Sequence, residues 1–171
     1  MSAFIVSQFQ YCQLIWMNHS RKLNNKINRI HERALRIVYN DYSSSFEELL
    51  KIDDSVTIHV QNIRALMIEM FKVKLGEAPE LLNDIFEFTK ESNYSFRTKR
   101  EFQSRTIRSE NFGSKSLMFL GPKLWNDLPE FIKDSKNILD FKGKIKKWSP
   151  EKCPCSLCKI YVHQVGFVEI S

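Results

Sequence analysis

The residue types best suited to chemistry cluster in one short segment. Cys153, Cys155 and Cys158, followed by His163, offer four soft or borderline ligands of the kind that hold tetrahedral zinc. The one-residue gap between Cys153 and Cys155 is tighter than the usual spacing of about two to four. The pattern therefore departs from a standard zinc knuckle, and three reduced thiols on a tail are the plainer alternative. Two-metal phosphoryl chemistry needs carboxylates holding ions about 3.5–4 Å apart. The only pair of adjacent aspartates, Asp53-Asp54, follows Lys51-Ile52 between two helical segments, where an acidic residue caps or precedes the next helix. Cys12 and His19 lack a third group to orient them and read as a buried thiol and a surface imidazole. His31 and His59 fall inside helical patterns and are expected at the surface or the edge of the core. The five glycines are isolated, so no loop cradles a phosphate. These residues lead to the expectation of a chain with no catalytic residues and no magnesium site.

Cations supply the other chemistry. Lys and Arg number 26 against 20 Asp and Glu, a formal net charge of +6, and the isoelectric point is near 9.1. Their distribution says more than the total. Arg21, Lys22, Lys26, Arg29 and Arg33 recur along one segment with Glu32 as its one acid. Arg97, Lys99, Arg100 and Arg105 form a second group, and Lys142, Lys144, Lys146 and Lys147 a third. Acidic stretches separate them. Segregated cations can neutralise phosphates with little sequence selectivity, and Phe96, Phe102 and Trp148 stand near enough in sequence to stack on bases. The competing reading makes the cations solvated helix faces and the aromatics core.

The elements that must position these groups read as mostly helical. Leu23, Ile27, Ile30, Ala34 and Ile37 recur at steps of three and four after Ser20, the expected N-cap, and give an amphipathic helix ending near Tyr39. Ser45 and Glu48 make a capping box for a short helix through Leu49 and Leu50. Thr57 to Leu75 follows as a second long helix burying Ile63, Leu66, Met67, Met70 and Phe71, with Gly76 as its left-handed stop. Pro79 to Phe86 is a short helix. Residues 88–119 lack clear periodicity and read as loop, or as short strands at Thr106-Ile107-Arg108 and Leu117-Met118-Phe119. Gly121-Pro122 opens a further helix, and Ile138, Phe141, Ile145 and Trp148 line a last, basic one. The expected fold is mainly α: an irregular helical bundle over residues 1–150 and a small Cys-rich tail over 151–171. No apolar run approaches the roughly 20 residues needed to span a bilayer, so an intracellular chain, in nucleus or cytoplasm and without a membrane partner, is expected.

Seven fragments occur in order: Ser20-Arg21-Lys22-Leu23-Asn24, Ile30-His31-Glu32-Arg33-Ala34-Leu35-Arg36-Ile37-Val38-Tyr39, Ser45-Phe46-Glu47-Glu48-Leu49-Leu50, Leu120-Gly121-Pro122-Lys123-Leu124-Trp125 with Leu128-Pro129, Phe141-Lys142, Ile145-Lys146-Lys147-Trp148 and Cys153-Pro154-Cys155-Ser156-Leu157-Cys158-Lys159. Together they resemble the region downstream of the polymerase palm in jockey-like non-long-terminal-repeat retrotransposon reverse transcriptases. The resemblance runs from about Ser7 to about Phe167. Tyr94-Ser95-Phe96-Arg97 and the Val60-Gln61 step depart from the family pattern. The resemblance implies a thumb and C-terminal region that holds RNA or RNA–DNA hybrid for a palm and fingers carried elsewhere in the parent polymerase. In that family the catalytic aspartates follow an aromatic and a small residue on a tight hairpin, unlike Lys51-Ile52-Asp53-Asp54. It supports the three cysteines as metal ligands better than His163. Two other outcomes stay open: a protein-interaction module, whose Phe4, Ile5, Phe9, Leu14, Ile15 and Trp16 have lost their original cover, or a decayed element with no activity.

Overall fold

The computed structural model describes residues 7–17, 20–89, 101–103, 106 and 116–148, and these form nine helices with no strand among them. The chain is mainly helical, as its periodicity predicts. It divides into two units, Met1–Ala65 and Leu66–Ser171, and the boundary falls inside one helix.

In the first unit, α1 (Ser7–Gln10) and α2 (Gln13–Trp16) are single turns separated at Cys12, whose left-handed backbone interrupts what would otherwise be one helix. The long helix α3 (Arg21–Tyr39) starts at Ser20, whose hydroxyl accepts from the Leu23 amide at 3.4 Å, and ends at Asn40 in the left-handed region at φ 50°. Asp41 then gathers the Ser43 amide and hydroxyl and the Ser44 amide. The Ser44 hydroxyl, then the Ser44 amide and the two Ser43 donors, favour its charged form and hold the carboxyl well below the usual carboxylate range. The capping box forms as expected at α4 (Phe46–Ile52): Glu48 donates its amide to the Ser45 hydroxyl, and its carboxylate accepts the Ser45 amide at 2.7 Å. Asp53 closes α4 and does not open the following helix; it accepts the Tyr39 hydroxyl at 2.7 Å. Thr57 takes the capping position instead, its hydroxyl 3.4 Å from the Val60 amide.

The expected apolar stripe of α3 is corrected by packing. Leu35 packs with Leu49 and Leu50 of α4, and Phe46 closes over them. At about 100° per residue, centring the helix on Leu35 turns Asn24, Ile27, His31 and Ala34 inward. Leu23, Ile30 and Ile37, expected in the core, are 46%, 55% and 65% exposed. His31, expected at the surface or core edge, is fully buried with its ring edge-on to Phe46 at 5.6 Å, and His59 is likewise buried.

Neither ring nitrogen of His31 has a hydrogen-bond partner among the described residues. Burial disfavours the imidazolium and lowers the His31 pKa, and the charge of Asp53 opposes that only in part. The unfolded chain therefore holds more protons between the ordinary histidine value of about 6.5 and the lower folded one. Stability is full above about pH 6.5 and falls as the pH drops through that window. Urea midpoints should decline from pH 7 toward pH 5 in the wild type and run flatter in His31→Phe, which keeps the ring and removes the proton site. Parallel pH profiles would rule this cause out.

α5 (Ile58–Leu75) begins in the first unit and ends in the second. Buried pairs recur every four residues along it, Ile58-His59, Asn62-Ile63, Leu66-Met67 and Met70-Phe71, and they include all five expected core positions. Gly76 at φ 73° stops it, as expected.

The second unit continues through α6 (Glu80–Ile85), α7 (Leu117–Asn126), α8 (Glu130–Lys133) and α9 (Ile138–Lys147). Leu117-Met118-Phe119, a candidate strand in the sequence, is the first turn of α7, and Gly121-Pro122 lies inside that helix and does not open it. The Leu120 amide bonds the Ser116 carbonyl at 2.9 Å, so the first turn closes ahead of the proline, whose missing N–H leaves α7 one i→i−4 bond short. One antiparallel bridge, Phe88 with Phe102, stands alone in the described part of 88–119. The phenylalanines converge here. Phe71 stacks on Phe141 at 4.2 Å, and Trp125 stands edge-on to Phe102 at 5.3 Å. Phe102 also meets Phe86 and Phe88.

Gly121 permits the close approach of α7 to this cluster. A β-carbon there would lie 2.6 Å from Cε1 of Phe86 and 3.0 Å from the Met70 sulfur, both on fully buried side chains. Alanine would gain about 1 kcal/mol of helix propensity, but overpacking a filled core costs about 1–3 kcal/mol. Gly121→Ala should therefore lower the urea unfolding midpoint, and an equal or higher midpoint would show that Phe86 yields freely.

Candidate nucleic-acid interface

The cations fall into two classes. Some are committed to carboxylates of the chain itself. Arg36 donates to Glu32 at 2.7 Å, Lys72 to Glu69 at 2.6 Å and Lys144 to Asp140 at 2.8 Å. Lys144 also reaches the Ser135 hydroxyl, and its ammonium holds the Asp140 carboxyl below its ordinary value. Lys74 donates to Glu101 at 3.0 Å and to the Lys133 carbonyl at 3.2 Å. Lys133 is itself buried, its ammonium on Glu130 and the Asn126 carbonyl. These cations serve the fold.

The other class is solvated. Lys22, Lys26, Arg29 and Arg33 are exposed on α3 and have no carboxylate partner among the described residues. At about 100° per residue they share an arc of roughly 60° and rise over about 16 Å of helix. Glu32, the one acid of this helix, is turned to Arg36, which leaves the row unopposed. On α9, Lys142, Lys146 and Lys147 are exposed, whereas Lys144 is neutralised by Asp140. Of the expected group Lys142, Lys144, Lys146 and Lys147, three thus have no carboxylate partner among the described residues.

The α3 row carries a feature that sequence reasoning placed in the core. Leu23, Ile30 and Ile37 run beside the cations, so the exposed arc has a charged side and an aliphatic side. Their seven-residue spacing was visible, but nothing local distinguished it from a core stripe.

Of the expected stacking residues, Phe102 is fully buried against Trp125 and cannot reach a base. Trp148 is half-buried at the end of α9. The side chain of Arg21, together with Phe96, Arg97, Lys99, Arg100, Arg105 and the zinc candidates Cys153, Cys155, Cys158 and His163, lies outside the described residues. Among the described residues no three His, Cys, Asp or Glu side chains gather as a metal set, and no helix is long and apolar enough to cross a membrane.

No family model, curated protein or solved structure matches this chain.

Proposed function

We propose that this chain grips nucleic acid without performing chemistry on it, as the region downstream of the palm in a jockey-like non-long-terminal-repeat reverse transcriptase would. Template RNA and RNA–DNA hybrid are its ligands, held through phosphates by solvated helix faces. The observation that carries the proposal is the row Lys22, Lys26, Arg29 and Arg33 on α3, exposed and without an acidic partner among the described residues. A helix face with four unopposed cations repels itself, and phosphates relieve that repulsion while releasing their counterions. The ordered fragments of the sequence support the family, and the row supports the ligand.

An anisotropy titration of the full chain with mixed-sequence RNA and with RNA–DNA hybrid tests this. Binding should be measurable at about 50 mM salt and weaken steeply toward 200 mM, with little dependence on sequence. Absence of binding at the lower salt would end the proposal.

A further inference from the structure

We infer that the exposed face of α3 takes single-stranded nucleic acid in preference to a duplex, with the phosphates on its cationic side and the faces of unpaired bases on its aliphatic side. The inference rests on the proposed nucleic-acid reading and names the form of the ligand. Around the helix, at about 100° per residue, the order is Arg29, Lys22, Arg33, Lys26, Ile37, Ile30, Leu23. Cations and aliphatic side chains therefore occupy adjoining halves of one arc of about 120° and are not interleaved. The aliphatic side chains sit seven residues apart, so their row extends about 21 Å along the axis.

A duplex fits only half of this face. It presents phosphates outward and keeps its base faces stacked inside, so it would neutralise the cations and leave Leu23, Ile30 and Ile37 in water. A single strand offers both surfaces along one edge, charge on its backbone and apolar faces on its splayed bases. Burying the row against bases removes exposed apolar area that no other described element covers. A second copy of the chain is a poorer occupant, because the same four cations would meet themselves across the contact. Just past α3, Tyr42 is 69% exposed and adds an aromatic ring of the kind on which bases stack.

The test uses the full chain, a labelled RNA of about 20 nucleotides and the same RNA annealed to its DNA complement. The single strand should bind about tenfold more tightly than the hybrid, a difference of about 1.4 kcal/mol. Replacing Ile30 and Ile37 together by Ser should weaken single-strand binding about tenfold. It should leave hybrid affinity and the salt slope unchanged, since no charge is removed. Ile30→Trp, which enlarges the stacking surface, should strengthen single-strand binding several-fold. These positions are exposed, and thermal melts by circular dichroism verify that each variant stays folded. Equal affinity for strand and hybrid, or serine variants that bind the strand as well as wild type, would overturn the inference while leaving the nucleic-acid reading intact. Serine variants that change only the sedimentation of the protein would overturn it too, by assigning the row to contacts between copies. Failure to bind either ligand removes the underlying reading as well.

Discussion

Replacing Lys22, Lys26, Arg29 and Arg33 together by Ala should lower RNA affinity about a hundredfold to a thousandfold at 50 mM salt and flatten the salt dependence by about three units. Each cation that neutralises a phosphate on a single strand contributes about 0.7 to the slope of log affinity against log salt. Four of them account for both figures. Folding should survive, because all four side chains are solvated and alanine is the better helix former. Lys144→Ala is the matched control. Its ammonium is already bonded to Asp140 at 2.8 Å and to the Ser135 hydroxyl, so its loss should change RNA affinity by no more than about threefold. A quadruple variant with wild-type affinity and slope would move the grip away from α3. Equal losses in the quadruple variant and the control would make the effect one of net charge alone.

What the sequence disclosed follows from where each interaction is written. Caps and stops are local, and they were legible: Ser20, the Ser45–Glu48 box and Gly76 all act within four residues of their partners. The buried positions of α5 were legible because Ile63, Leu66, Met67, Met70 and Phe71 recur at helical spacing in the sequence. The rotation of α3 was not. Its apolar residues cover more than half the helix circumference, so periodicity alone permits two faces, and the choice belongs to Leu49 and Leu50 on another element. Choosing Leu35 as the centre buries two polar residues, Asn24 and His31, which a pattern of apolar residues cannot foresee. The pairing of Phe88 with Phe102 was not legible for a related reason. Phe88 and Phe102 meet through one isolated bridge, and a single bridge leaves no alternation to read.

The candidate site divides along the same line. Which segments are basic is plain in the sequence, whereas which cations are free depends on carboxylates placed by folding. Arg36 and Arg33 look alike in the sequence, three residues apart on one helix. Glu32 lies one turn before Arg36 and takes it at 2.7 Å, and Arg33 has no such neighbour. The i,i+4 rule finds that pair, and it finds Asp140 with Lys144 as well. It does not find Lys74 with Glu101, which lie 27 residues apart, nor the burial of Lys133. Summed charge thus overstates the surface available to a polyanion. The row on α3 carries the proposal because, among the described residues, its cations have no carboxylate partner once the internal pairs are removed.

Trp125→Ala should be the most destabilising single change in the second unit, costing about 3–5 kcal/mol. Trp125 is fully buried and joins two parts of the core. Its ring lies edge-on to Phe102 at 5.3 Å and stacks near Phe141 at 6.0 Å and Phe71 at 6.5 Å, so α5, α7 and α9 share it. Its Nε1 donates to the Glu101 carboxylate at 2.9 Å, and the other oxygen of that carboxylate accepts Lys74 at 3.0 Å. The Lys74 ammonium also lies 5.9 Å from the centre of the indole. Trp125→Phe keeps one aromatic ring and removes the donor together with the rest of the indole, which leaves a small cavity at this buried site. Glu101 is partly exposed and keeps Lys74, so the lost bond should cost only about 1 kcal/mol. Urea unfolding should place Trp125→Phe between wild type and Trp125→Ala, with Trp125→Ala far the lowest. Equal and large losses would mean that the Glu101 contact, and not the stacked rings, holds α7 in place.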